Sequence, residues 1–312
     1  MYNNQNHRKT KSPRKDIFLT VDSETELLPF LYEKLAGEKS GKYPGTLPRK
    51  TVKTLLTNRC ITVNGKVRTK YNYALHTGNE VVADFAGKTD FLEKAGVRII
   101  YEDKELLIIN KPAGLLTVAD GKLDCPTVYT VMNKYLHFTD EKAKANIVHR
   151  LDRDTSGVLL MTKTFELKKS FQEKWSELTG KRLYYAIVAG QPKRRQDTIT
   201  SYLDQTGDKK GMVFSRSFNP EAVQDKAVTE YTVIKQSEEY SLLDVSITTG
   251  KKNQIRVALR DIGHPILGDR KYGGKNYPRL CLHAYELEIT HPVSGKVLNF
   301  RAPTPGVFEQ LF

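Results

Sequence analysis

The stretch Asn146–Lys163, NIVHRLDRDTSGVLLMTK, sets His149, Arg150, Asp152, Arg153 and Asp154 between two apolar runs. A carboxylate flanked by cations suits either of two jobs. It can be one half of a loop ion pair, or a nucleophile that is kept ionised and partly shielded from water. Asp154-Thr155-Ser156-Gly157 is good turn chemistry, since Asp accepts backbone N–H bonds and Gly takes positive φ. Asp154 is therefore assigned to the turn. Asp152 has no such duty, and the local residues leave ion pair and nucleophile equally open. His149 invites a general-base role, but a histidine beside such a loop is commonly a hydrogen-bonded structural group. It stays outside the catalytic set.

The elements around this loop follow from periodicity. GVLLMTK is a continuous apolar run that suits a buried strand. VRIIYEDKELLIINKPAGLLTV predicts two strands with a turn at Glu102-Asp103, then a loop at Lys111–Gly114. TVYTVMNKYLHF has helical spacing at Val128, Val131, Met132 and Tyr135, and TFELKKSFQEKWSEL predicts one amphipathic helix. RLYYAIVAG, AVTEYTVIKQSEEYSLLDVSITTG and LCLHAYELEIT are rich in β-branched and aromatic residues and predict strands. KNQIRVALRDIG predicts a helix that stops at Gly263. The pattern is α+β: a mixed, largely antiparallel sheet with flanking helices. Strict βαβ alternation, a GxGxxG loop and a Walker A loop are all absent from the sequence.

The 312 residues suffice for about two domains at roughly 150 residues each. A smaller α+β unit precedes the larger one. ETELLPFLYEKLA and LPRKTVKTLLTNRC read as helices, ITVNGKVRT as a hairpin around Asn64-Gly65, and HTGNEVVADF as a closing strand. The expected division is a basic tail at 1–15, a small domain at 16–86, a hinge at 87–96 and a large domain at 97–312. The net charge of +14 favours a polyanionic partner. Lys42, Arg49, Lys50, Lys53, Arg59, Lys66, Arg68 and Lys70 fall in a stretch, Gly41 to Lys70, that holds no acidic residue, as suits phosphate contacts. No apolar run approaches about 18 residues, so no membrane association is expected. The N-terminus has no apolar core of a secretory signal. Cys60, Cys125 and Cys281 are scattered, with no CxxC, which fits a reducing cytoplasm. His264, His283 and His291 lie in separate segments without metal-ligand spacing, and no metal is expected. Asp269 is expected to shape its own loop. No heptad or self-complementary patch is evident, so a monomer without an obligatory protein partner is the default.

HRLDRDTSG resembles the catalytic motif of the RluA-type pseudouridine synthases. IINKPAGLLTV, KRLYYAIVAG, TTGKKNQIRVALRDIGHPILGDRKYGG and RLCLHAYELEITHP are similar to further segments of that family, in family order. PRKTVKTLL, ITVNGKVRTK and HTGNEVVA resemble an S4 RNA-binding domain, with Pro48-Arg49 where that family commonly has Ser-Arg and an insertion around Gly41 to Gly45. The resemblance implies a cofactor-free isomerase that converts uridine to pseudouridine in ribosomal or transfer RNA. It implies Asp152 as nucleophile, Tyr184 stacking on the base with a hydroxyl that can help move the C5 proton, and Ile255 packing near that base. It implies Arg256 as the partner of Asp152, in the bidentate geometry a guanidinium offers a carboxylate. Arg150 becomes the candidate to fill the space of an extruded uridine, and Arg49, Lys50, Lys53, Arg59, Lys66, Lys251 and Lys252 become candidate RNA contacts. Relatives read TGRxHQIR where this chain has Lys251 and Asn253, a change expected to touch RNA contacts more than chemistry. Two alternatives compete. One is a non-catalytic RNA-binding protein on a degenerate scaffold, against which the joint presence of Asp152, Tyr184 and Arg256 argues. The other is a metal-dependent hydrolase using His149 and Asp152, which lacks a ligand set.

Overall fold

A computed structural model describes residues 17–36, 47–57, 60–83, 92–119, 126–137, 143–204, 213–216 and 225–312. The expected basic tail, the insertion around Gly41, Arg59, Cys125 and the 87–91 part of the hinge lie outside these residues. The chain divides into two units, Met1–Ala95 with Thr130–Ala145 and Gly96–Tyr129 with Asn146–Phe312.

In the first unit β1 (Ile17–Thr20), β2 (Thr25–Glu26), β3 (Ile61–Val63), β4 (Lys66–Val67), β5 (Ala74–Leu75) and β6 (Glu80–Ala83) accompany helices Leu27–Leu35 and Arg49–Thr57. Asn64 and Gly65 both take positive φ, 49° and 72°, as a two-residue hairpin turn requires. The sheet order is β1-β6-β3-β4. Leu27, Phe30, Leu31 and Leu35 from the first helix meet Val52, Leu55 and Leu56 from the second in one core. That burial leaves Arg49, Lys50 and Lys53 outward. Strand β1 was not expected; IFLT is short and follows a polar stretch, and only its pairing with β6 makes it a strand.

The second unit carries β7 (Arg98–Glu102), β8 (Leu106–Lys111), β9 (Asn146–Ile147), β10 (Ser156–Thr162), β11 (Thr179–Ala189), β12 (Gln196–Asp204), β13 (Phe214–Arg216), β14 (Lys226–Gln236), β15 (Tyr240–Ile247), β16 (Leu282–Thr290) and β17 (Val297–Arg301). They form one 11-stranded sheet in the order β13-β12-β14-β15-β11-β16-β10-β8-β7, with β17 on β16 and β9 on β10. The pairs are antiparallel except β10 with β16, which run parallel over Ser156↔His283 and Gly157↔Ala284. Ala284 also pairs with Tyr184 of β11. The exit of the HRLDRDTSG loop and the tyrosine strand are thus neighbours across a single residue of β16.

The expected single helix over TFELKKSFQEKWSEL is two pieces, Phe165–Glu173 and Trp175–Leu178. Lys174 leaves helical geometry at φ −118°, ψ 33°. Phe171 is fully buried, whereas Phe165 is 63% exposed, so the apolar stripe does not continue through the segment. After the break the Trp175 ring lies 5.2 Å from that of His149.

Gly157 has φ +122°, and a methyl group there would stand 2.0 Å from the Ala284 carbonyl oxygen. Strand β10 reaches β16 only because this side chain is missing. Gly157→Ala is expected to lower stability by at least about 2 kcal/mol, read as a fall in the urea-denaturation midpoint. A midpoint equal to wild type would show that the parallel contact is not tight.

Candidate active site

Asp152 sits on the loop between β9 and β10, which has no regular structure of its own. Its carbonyl accepts the Thr155 N–H at 3.2 Å, closing a turn over residues 152–155. The turn therefore starts at Asp152, two residues before the expected Asp154. The Asp154 carboxylate takes Arg153 Nε at 3.1 Å rather than a backbone N–H.

The segment after β8 holds this loop from below. Lys111 is fully buried, and its Nζ donates to the carbonyls of Pro112 (2.9 Å), Leu115 (2.7 Å) and Arg153 (2.9 Å). Gly114 N–H donates to the same Arg153 carbonyl at 2.9 Å. The Thr117 hydroxyl donates to Leu151 O at 2.7 Å and accepts from Leu151 N–H. Burial pushes the Lys111 pKa down to about 7, against the pull of the Asp154 and Asp152 carboxylates. Neither Lys111 nor Thr117 was singled out from the sequence. The signal was a lysine closing the apolar run LLIIN, where a buried ammonium needs acceptors at hand.

Arg256 comes from helix Gln254–Asp261. Its entry is fixed by Gln254, whose amide donates to Val228 O (2.9 Å) and Thr229 Oγ1 (3.1 Å) and whose Oε1 accepts from Thr249 and Lys251 N. Arg256 Nη1 reaches Asp152 Oδ2 at 3.5 Å. Its bidentate partner is Asp269, not Asp152: Nε and Nη2 each lie 2.8 Å from one Asp269 oxygen. Asn253 Oδ1 accepts from Nη1 at 2.9 Å, and the Tyr272 ring lies 4.9 Å from the guanidinium. Side-chain exposure is 10% for Arg256 and zero for Asp269, against 30% for Asp152. Burial works against the arginine charge, but the Asp269 hydrogen bonds, with the Asp269 and Asp152 charges, outweigh it and raise its pKa. Asp269 also does the expected loop work, accepting from Lys271 N and Tyr272 N at 3.1 Å. The departure at Asn253 was expected to touch RNA contacts more than chemistry; the Asn253 side chain is buried against Arg256 and Tyr272.

Tyr184 projects from β11, half-buried, and among the described residues its hydroxyl has no hydrogen-bond partner. Burial raises its pKa to about 12, Arg182 works to lower it and Asp152 to raise it. The phenol therefore keeps its proton through the physiological range. Tyr185, the next residue, stacks on Tyr285 with ring centroids 3.9 Å apart. Ile255 is buried in a core against which Tyr184 packs. His149 Nε2 accepts the Leu160 N–H at 3.0 Å, and burial takes its pKa down to about 3, so it is a neutral structural group. Arg150 and Lys252 are exposed and Lys251 is half-buried. In the first unit Arg49 lies over Tyr32 and Lys53 over Tyr71, at 5.2 and 6.0 Å, and Lys50 and Lys66 are exposed.

Two further histidines of this unit are tied into the frame. His264 Nδ1 bonds Ala189 O, and His283 Nδ1 bonds Ser156 Oγ, both at 2.8 Å. Asp103, Glu105 and His291 bring ligand-type atoms within 4.8 Å of one another, a grouping hidden in the sequence by their separation. His291 Nδ1 already accepts from Val293 N and Ser294 N, and its Nε2 lies 3.3 Å from Asp103. That histidine fastens a turn. Among the described residues no helix is long and apolar enough to cross a membrane.

The RNA pseudouridylate synthase family matches residues 105–261, which contain Asp152, Tyr184 and Arg256. An RNA pseudouridine synthase of Synechocystis is 32% identical over 96% of this chain and 93% of its own. Ribosomal large subunit pseudouridine synthase D of Nitrosomonas europaea is 32% identical over 73% of this chain and 69% of its own. The solved structure of human RNA pseudouridylate synthase domain containing 4 shares the fold, with a TM-score of 0.57 and 24% identity over 71% of this chain and 92% of that one. The match across half the chain and the near full-length likeness to the Synechocystis protein lead to one conclusion: the chain belongs to the RNA pseudouridylate synthase family and is an isomerase of uridine in RNA.

Proposed function

We propose that Asp152 is the nucleophile, that the substrate is ribosomal RNA, and that the small N-terminal domain is an S4-like unit that grips RNA. The observation that carries the nucleophile is the aim of Arg256. Asp269 and Asn253 hold its guanidinium so that Nη1 faces the half-exposed Asp152 carboxylate. A carboxylate fixed by a charge that is itself fixed needs little reorganisation when it attacks. It suits addition at either ribose C1′ or uracil C6, because it can also leave.

The isomerisation then needs three things. The C1′–N1 bond breaks, the detached uracil turns, and C5 bonds to C1′ while the C5 proton is removed and N1 ends protonated. Tyr184 offers a flat face for the turning base, worth about 1–3 kcal/mol in stacking sites, and a protonated hydroxyl beside it. A uridine stacked in RNA cannot reach Asp152, so it must be extruded at a cost of a few kcal/mol. Arg150, exposed on the same loop, is the candidate to occupy the vacated stack. Ribosomal RNA is favoured because several relatives of similar length are ribosomal large subunit synthases.

In the first unit Arg49, Lys53 and Thr57 lie four residues apart on one face of their helix, all exposed. Lys50 and Lys66 add charge nearby in sequence. This is the surface proposed to meet RNA phosphates.

Three measurements test these assignments. Wild type and Asp152→Asn are expressed in a host lacking its own large-subunit synthases, and pseudouridines are mapped in ribosomal and transfer RNA. Modification is expected at a ribosomal site with wild type and nowhere with the variant; product from the variant would refute the nucleophile. Asp269→Ala leaves a buried guanidinium without its main partner and is expected to lose about 3 kcal/mol of stability. Its single-turnover rate should fall while RNA affinity stays near wild type, and an unchanged rate would show that Asp269 does not aim Arg256. Arg49→Ala/Lys53→Ala should reduce the slope of log affinity against log salt by about 1.5. An unaltered slope would remove this face from the RNA contact.

A further inference from the structure

Arg182 stands in β11 two residues before Tyr184, on the same side of the strand. Its charge acts on the Tyr184 hydroxyl and on His149. Nη2 donates to the Thr248 carbonyl, and the guanidinium lies 5.9 Å from the Trp175 ring. Nε is buried without a hydrogen-bond partner. Among the described residues no carboxylate pairs with this arginine. Two other arginines of this unit differ. Arg256 is enclosed by two aspartates, and Arg279 gives its hydrogens to Leu280 O, Ser156 Oγ and Leu282 O.

A guanidinium half withdrawn from water without an anion is unfavourable, and burial lowers the Arg182 pKa. One carbonyl and a ring at 5.9 Å compensate little of that. Gly250 leaves room on the open side: a methyl group there would lie 3.2 Å from Nη1. Lys251 and Lys252 follow directly, so the guanidinium adjoins the start of a basic loop. None of the described residues supplies the counter-ion, and RNA brings one with every nucleotide.

We infer that Arg182 binds a backbone phosphate of the RNA beside the target uridine. The inference rests on the reading of Asp152 and Tyr184 as the place where that uridine is held. It gives the site two arginines with separate duties. Arg256 is saturated by protein carboxylates and aims the nucleophile. Arg182 is unsaturated and registers the strand so that the base falls against Tyr184. A charge-assisted bond from a guanidinium to a phosphate also carries geometric specificity.

The test is a cycle between protein and RNA. Affinities are measured for a ribosomal RNA stem–loop containing the uridine mapped above, and for the same RNA with one neutral methylphosphonate linkage placed on either side of that uridine. Arg182→Met should weaken binding of the unmodified RNA about tenfold, the scale of one charge-assisted hydrogen bond. One of the neutral linkages should weaken wild type by a similar factor and leave Arg182→Met no weaker than before. Arg182→Lys, which keeps charge and fold, should regain part of the affinity and its sensitivity to that linkage. Losses that multiply at both linkages, or an Arg182→Met affinity equal to wild type, would overturn the assignment and leave Arg182 a clasp on Thr248. Failure of the ribosomal reading has a different signature: wild type leaves the stem–loop unmodified. The cycle is then run on the transfer RNA stem–loop that the mapping identifies, with the same two outcomes decisive.

Discussion

A carboxylate can be held ready to react only if the charge that holds it cannot swing away. Arg256 meets that condition because its Nε and Nη2 are both occupied by Asp269, which is itself sealed from solvent. Two buried opposite charges are not by themselves a source of stability, since desolvation offsets much of their attraction. What the pair supplies is direction. With two of its edges fixed, the guanidinium has only Nη1 left to face Asn253 and Asp152. The longer 3.5 Å contact to Asp152 is consistent with a carboxylate that is steadied rather than locked. A bidentate grip on Asp152 would satisfy its oxygens too well, and a nucleophile needs a lone pair free.

The other half of the geometry is the loop itself. A segment without helix or strand has backbone groups to satisfy, and here β8 does the satisfying. The Lys111 ammonium gathers three carbonyls from two separate segments, and Thr117 both gives to and takes from Leu151. Such a hub couples Asp152 to β8, a strand buried along nearly all of its length. At the far end Gly157 lets β10 run against β16, and the same Ala284 abuts Tyr184. The Asp152 loop and the Tyr184 strand are therefore set in register by backbone contacts through Ala284.

Much of this was legible from residue types. The period-two strands, the buried GVLLMTK run, the Asn64-Gly65 hairpin and the helix ending at Gly263 appear where periodicity and turn chemistry put them. The partners of Arg256 were harder to read, because pairing across the fold leaves no local trace. Asp269 looked like a loop former, which it also is, and its second duty depends on a helix thirteen residues earlier in the chain. Asn253 looked like a surface substitution because it sits between a lysine pair and a helix, yet its left-handed φ of 56° turns it inward. Strands β12 and β13 escaped notice since QDTITSYLD is polar on one face and borders a sheet edge. The helix breaks at Lys174, and Trp175 beyond it packs against both Phe171 and His149, a partner distant in sequence that leaves no local trace.

On the proposed reading Arg256 and Arg182 let one site serve binding and chemistry without the two interfering. Charges paired inside the protein are poorly screened by salt, whereas a cation awaiting a phosphate competes with the ions in solution. Arg256 belongs to the first kind, so the aim of Asp152 is insulated from the medium. On the proposed reading Arg182, Lys251, Lys252 and the basic helix of the first unit belong to the second, so capture of RNA would respond to it. If both duties fell on one guanidinium, an arriving phosphate would draw it from the nucleophile at the moment of need. Asp269 prevents this for Arg256 by leaving no edge for a phosphate to take. Asp269 thus balances the charge of Arg256, and on the proposed reading this leaves Asp152 its reactivity.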